Sequence, residues 1–167
     1  MVFKSSLDKT SKAITIGVIL LLIVVSLFIS YPFSDIENLT TSLFSGLLFM
    51  VITIVAYAFS TKSIELNQND LYVKRPFDKV VILLSDIIKI EKIDYKDLSF
   101  AMRKFGSGGL FGYFGKFWNK QQGSMTWYVT NMKNPVMIET KNGKKIVLTP
   151  DDREQFLEQF TILEKTI

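Results

Sequence analysis

Between Phe105 and Trp118 the chain sets five glycines among five Phe or Tyr residues and one Trp, with Lys104, Lys116 and Lys120 around them. Glycines beside a lysine are the makings of a phosphate cradle, in which backbone N–H groups hold anionic oxygens. The spacing does not deliver one. A Walker A loop requires Gly five residues before the Gly115-Lys116 pair and Ser or Thr after it, where this chain has Leu110 and Phe117. The dinucleotide fingerprint stops at Phe111, which stands where its third glycine belongs. Three uses of the segment remain. Its rings fold back as a satellite core under a long loop, with the glycines as tight turns. Alternatively the loop dips into lipid headgroups, a depth that suits aromatic rings and lysines, or it docks another protein. The residues that would carry lipid or partner binding are Arg103, Lys104, Phe111, Tyr113, Phe114, Lys116, Phe117, Trp118 and Lys120, with Lys116 and Trp118 foremost.

Other chemistry is thinly supplied. The chain has neither Cys nor His, which removes disulfides, thiol nucleophiles, the usual zinc sites and the commonest general base. Asp86, Glu91, Asp94 and Asp97 read as a solvated face and not as an acid/base pair. Ser107 and Ser124 lack the nucleophile elbow that a hydrolase serine needs. No catalytic residue, metal or cofactor is expected, and the chain does not read as an enzyme. Arg103 and Lys104 belong to five basic residues spread over the 41 positions from Leu98 to Ile138, too sparse for a nucleic-acid footprint. That stretch holds no acid, so it carries a local positive field, within a net charge of +4.

The elements that must position these residues begin with two charge-free apolar runs, Ala13 to Ser34 and Asn38 to Thr61, each long enough to cross about 30 Å of hydrocarbon as a helix. The spans are placed at about 13–34 and 38–61. Lys4, Lys9 and Lys12 precede them, Lys62 follows, and the connector Tyr31 to Asn38 holds Asp35 and Glu37 but no cation, which predicts a hairpin with both termini cytoplasmic. The first run is too long, and too soon followed by the second, for a cleaved signal peptide. Neither span carries a charge, which speaks against a pump or carrier. Residues 1–62 are therefore read as a transmembrane hairpin and 63–167 as one cytoplasmic domain.

From Ser63 the apolar period falls to two. Ile64–Leu66, Leu71–Val73, Val80–Leu84 and Ile88–Ile90 predict four strands, and Met125–Val129, Val136–Ile138 and Ile146–Leu148 three more after a long insertion. Lys141-Asn142-Gly143-Lys144 is the signal for a tight hairpin with positive φ at both central positions. Thr149 as N-cap, Pro150 at the first position and Phe156, Phe160 and Leu163 at helical spacing predict a closing helix whose stripe caps the sheets.

Seven antiparallel strands, four plus three, with one C-terminal capping helix resemble the pleckstrin-homology fold. The run Gly108 to Asn119, then Tyr128-Val129-Thr130-Asn131, the Lys-Asn-Gly hairpin and Leu148-Thr149-Pro150-Asp151-Asp152 look like bacterial PH-like domain families of membrane proteins, over Ser63 to Lys165. The resemblance implies a seven-stranded sandwich or barrel anchored in a bacterial inner membrane, with no catalytic activity or ligand to carry over. Eukaryotic phosphoinositide-binding members concentrate basic residues at the first hairpin, whereas Lys74, Arg75 and Lys79 are all that stands here. The expected function is a non-enzymatic membrane-anchored module that recruits a partner protein or senses anionic lipid. The competing class is a small accessory subunit of a membrane enzyme or transporter complex. Nucleic acid is not an expected partner, and a homo-oligomer is compatible with the sequence.

Overall fold

Two long helices carry most of the exposed apolar surface. The computed structural model describes residues 1–29 and 36–164, with α1 at Lys9–Ile29 and α2 at Ile36–Ala58. At about 1.5 Å per residue each is roughly 30 Å long. Leu20, Leu21, Phe28, Leu43 and Phe44 are exposed, so the helices are not core elements of a soluble fold. Both are long and apolar enough to cross a membrane. α1 begins at Lys9 and not at Ala13 because Asp8 caps it. The Ser11 N–H donates to the Asp8 carboxylate at 2.6 Å and the Lys12 N–H to the Asp8 carbonyl at 3.0 Å. α2 ends at Ala58, three residues short of Thr61, where the Ser60 N–H and hydroxyl both donate to the Tyr57 carbonyl. The connector residues Tyr31 to Asp35, including Pro32, lie outside the described residues.

The remaining chain forms ten strands among the described residues, in two sheets. The first has the order β1 (Val2–Lys4), β2 (Ser63–Leu66), β3 (Asp70–Lys74), β4 (Lys79–Leu83), all antiparallel. The second has the order β5 (Ile87–Lys92), β9 (Val136–Thr140), β10 (Lys145–Leu148), β8 (Gly123–Val129), β7 (Gly112–Asn119), β6 (Met102–Gly109). The seven-stranded, four-plus-three arrangement is corrected to four plus six. One added strand, β1, precedes the helices, and two, β6 and β7, come from the aromatic glycine segment read as a loop. The strand at Ile88–Ile90 leaves the first set and pairs with β9 in the second sheet. The wholly antiparallel expectation is corrected as well: β9 lies outside β10, so β10 returns beside β8 in the same direction.

Alternation along β2 and β3 sends Ile64, Leu66, Leu71 and Val73 inward, where they meet Val136, Ile138, Ile146 and Leu148 of the second sheet. The closing helix α4 (Arg153–Glu164) lays Phe156 and Phe160 on this core, with Phe3 of β1 edge-on to Phe156 at 5.2 Å. Each such ring contributes about 1.5–3 kcal/mol through burial alone. Its cap is Asp152, which accepts the Gln155 N–H at 3.0 Å, and not Thr149. Thr149 is fully buried and accepts the Thr130 N–H at 2.9 Å, while its carbonyl takes the Ser5 hydroxyl at 2.8 Å. At the β9–β10 hairpin only Gly143 of the Asn-Gly pair has positive φ (69°), because Thr140 and Lys144 close a three-residue loop and not a two-residue one.

A second core covers the opposite face of the six-stranded sheet. Phe117 stacks on Trp127 at 4.0 Å beside Met125, Val129, Met137 and Val147, under Ile93 and Leu98. Leu98 belongs to the short helix α3 (Tyr95–Leu98), which Asp94 and Asp97 close with a capping box.

Candidate functional site

The aromatic glycine segment is a β-hairpin whose glycines are structural. Gly106 and Gly115 face each other across β6 and β7, with φ of 114° and 117°. A Cβ on Gly115 would lie 2.2 Å from the Phe105 carbonyl oxygen, and one on Gly106 lies 2.0 Å from that of Phe114. Any side chain here would collide with backbone, so only glycine lets the strands approach.

The tip of this hairpin grips the start of α1. The Ser11 hydroxyl donates to the Gly109 carbonyl at 2.7 Å, and the Thr15 hydroxyl oxygen accepts the Phe111 N–H at 2.9 Å. Ile14 fills the space that a Cβ on Gly109 would take, 2.6 Å from its methyl. Phe111 holds a left-handed backbone (φ 55°), and its ring meets Tyr57 of α2 edge-on at 5.4 Å. The sheet is thereby fixed against both helices.

Next to that grip, α1, α2 and the sheet enclose a groove of about 720 Å³. Its floor is the face of β6, β7 and β8 that carries Ser107, Phe114, Lys116, Thr126 and Tyr128. Val18, Val51, Ile52 and Val55 form an apolar wall. Three cations enter it, Arg75, Arg103 and Lys116, and none of the described lining residues is acidic. The Arg75 guanidinium lies between the rings of Phe59 and Tyr128, 5.4 and 5.3 Å away, and its side chain is 12 % exposed. Asp78 meets its Nη1 at 3.3 Å, while its buried Nε has no hydrogen-bond partner among the described residues. The Arg103 guanidinium folds into the room left by Gly108, where a Cβ would be 2.9 Å from Nη1. The Lys116 ammonium donates to the Thr126 hydroxyl at 2.7 Å.

Of the nine residues singled out in the sequence, Arg103, Phe114 and Lys116 are brought together here. Phe117 belongs to the second core, and Phe111 to the hairpin turn. Trp118, 38 % exposed, pairs with Met102 and Ser124 toward the far end of β7, and Lys104 and Lys120 are exposed outside the groove. Arg75, Phe59 and Tyr128 were not foreseen. The signal for Tyr128 lies in the alternation itself, since Met125, Trp127 and Val129 point to the other face.

Tyr113 points away from the groove and donates to the Asp8 carboxylate at 3.4 Å, tying β7 to the cap of α1. Burial, then the charge of Asp8, pushes its phenol up to about 12 from an ordinary value of 10.0. A raised pKa means that the folded state holds this proton more tightly than the unfolded chain. Its contribution is whole below about pH 10 and is lost as pH climbs through about 12. Thermal unfolding followed across that window is expected to show falling stability, with a shallower fall in Tyr113→Phe. Equal slopes would mean that the Tyr113 phenol titrates alike in the folded and the unfolded chain.

Among the described residues, no group of three or more His, Cys, Asp or Glu could hold a metal ion. Searches of curated proteins and of solved structures returned no significant match. A family model described as Bacterial PH domain matches residues 62–163, from the start of β2 to the last turn of α4. With two packed sheets closed by that helix and well over half of its length inside the match, the chain belongs to the bacterial PH domain family.

Proposed function

We propose that the protein is a non-enzymatic binding module, held at the cytoplasmic face of a bacterial inner membrane by the α1–α2 hairpin and responding there to anionic lipid. The observation that carries this reading is the grip of the β6–β7 tip on Ser11, Ile14 and Thr15. It sets the basic floor of the groove against the two apolar helices, where a bilayer surface would begin. The packing of Phe3 against Phe156 supports the hairpin, because residues before α1 and after α2 must then share one side of the membrane. The lysines before and after the spans favour the cytoplasmic side.

The cysteine-free chain allows a direct test. In cells with the inner membrane intact but accessible, a membrane-impermeant maleimide is expected to label Asp35→Cys. Lys141→Cys should react only after the membrane is opened. The reverse pattern overturns the orientation, and identical behaviour at both positions overturns the hairpin.

A second reading, recruitment of a partner protein, is favoured by β6. It is one of the two edges of the six-stranded sheet, and beside it Phe100 is 96 % exposed, with Met102 and Phe105 also exposed. A photoreactive residue at Met102 is expected to cross-link to protein in native membranes under this reading, and to lipid or to the chain itself otherwise.

A further inference from the structure

We infer that the groove between the hairpin and β6–β8 binds one anionic phospholipid molecule, its phosphate among Arg75, Arg103 and Lys116 and an acyl chain along the helices. The inference rests on the membrane-anchored reading above and gives that surface a defined occupant. The groove is amphipathic in the sense a lipid requires. Val18, Val51, Ile52 and Val55 offer hydrocarbon on one wall, while the floor offers cations with no described acidic lining residue. Its volume of about 720 Å³ accommodates a headgroup and the first part of a chain, the rest of which continues along α1 and α2.

Arg75 is the strongest pointer. Its guanidinium lies 5.4 and 5.3 Å from two rings with Nη1 on Asp78, so its position is set before any ligand arrives, and its side chain is 12 % exposed. A guanidinium held in place before binding gives a phosphate a charge-assisted bond at little ordering cost. Gly108 serves the same end by leaving room for the Arg103 guanidinium. A bilayer phosphate is the anion concentrated at this place, and lipid is the phosphate source whose chains would also cover the apolar wall.

The test uses the full-length chain purified in neutral detergent. Native mass spectrometry follows titration with phosphatidylglycerol, phosphatidylcholine of the same chains, or glycerol phosphate. One phosphatidylglycerol per chain is expected to be retained, in preference to phosphatidylcholine, with no retention of glycerol phosphate. Each of Arg75→Gln, Arg103→Gln and Lys116→Gln is expected to weaken retention about fivefold, and the triple variant about a hundredfold. Lys120→Gln and Lys141→Gln, exposed and outside the groove, should leave it unchanged. Should the triple variant unfold, Gly108→Ala keeps every charge and displaces only Arg103, and it too should lower retention. Equal retention of both lipids, binding of glycerol phosphate alone, or retention unaffected by Gly108→Ala and the three charge variants overturns the inference. The maleimide result reports separately on the anchoring, so either reading can fall without the other.

Discussion

Gly115→Ala is expected to destabilise the protein by at least about 3 kcal/mol, although it adds a single methyl group. Two effects combine. The backbone at φ 117° lies where an L side chain is strained, at a cost of about 1–3 kcal/mol. The new Cβ would stand 2.2 Å from the Phe105 carbonyl oxygen and 2.8 Å from the Gly106 Cα, both backbone atoms that no rotamer change can move. The hairpin must therefore open, and with it the grip of its tip on α1. Gly123→Ala provides the comparison, because its φ of 72° is also positive but nothing lies within 4 Å of the added carbon. That variant should lose only about 1–2 kcal/mol. Thermal or urea unfolding of both in the same detergent measures the difference. Equal losses would show that conformational strain alone, and not close strand approach, sets the requirement for glycine.

A fragment beginning at Lys62 is expected to be markedly less stable than the family match suggests, because part of its core precedes the helices. Phe3 is 5 % exposed and packs on Phe156, and removing a buried ring of this kind costs about 3–5 kcal/mol. The fragment also loses the pairing of β1 with β2 and the bond from the Ser5 hydroxyl to the Thr149 carbonyl. A peptide of residues 1–7 added to the fragment should restore stability in proportion to its concentration, and the same peptide with Phe3→Ala should not. Unfolding midpoints indifferent to the peptide would mean that β1 is dispensable to the two-sheet domain.

The sequence was most legible where each residue faces one environment. The apolar helices and the strands β2 and β3 show their periods directly, β4 shows as a short apolar run, and the Phe156–Phe160 stripe of α4 lands on the core as its spacing predicts. β1 was unreadable because three residues, Val2 to Lys4, are too short for a period, and their pairing is set by a partner beyond both helices. β6 and β7 were hidden for another reason. Glycine stands at Gly106, Gly109, Gly112 and Gly115, so the alternation that identifies a strand is interrupted by residues without side chains. The groove was half visible. Arg103, Phe114 and Lys116 fall in one short segment, but Arg75 comes from the β3–β4 turn and reaches them only through the packing of two sheets.

The pairing of β1 with β2 has a consequence for biosynthesis. β1 is translated before both helices, yet its hydrogen-bonding edge does not exist until they and Ser63–Leu66 have followed it. On the membrane-anchored reading proposed above, it waits, unpaired, while the hairpin is inserted. If one helix fails to cross, Phe3 ends up on the opposite side of the bilayer from Phe156. The β2 edge and the apolar site beside Phe156 are then left open. On the membrane-anchored reading, a correctly threaded chain would conceal that edge, and a misthreaded one would display it to chaperones and proteases.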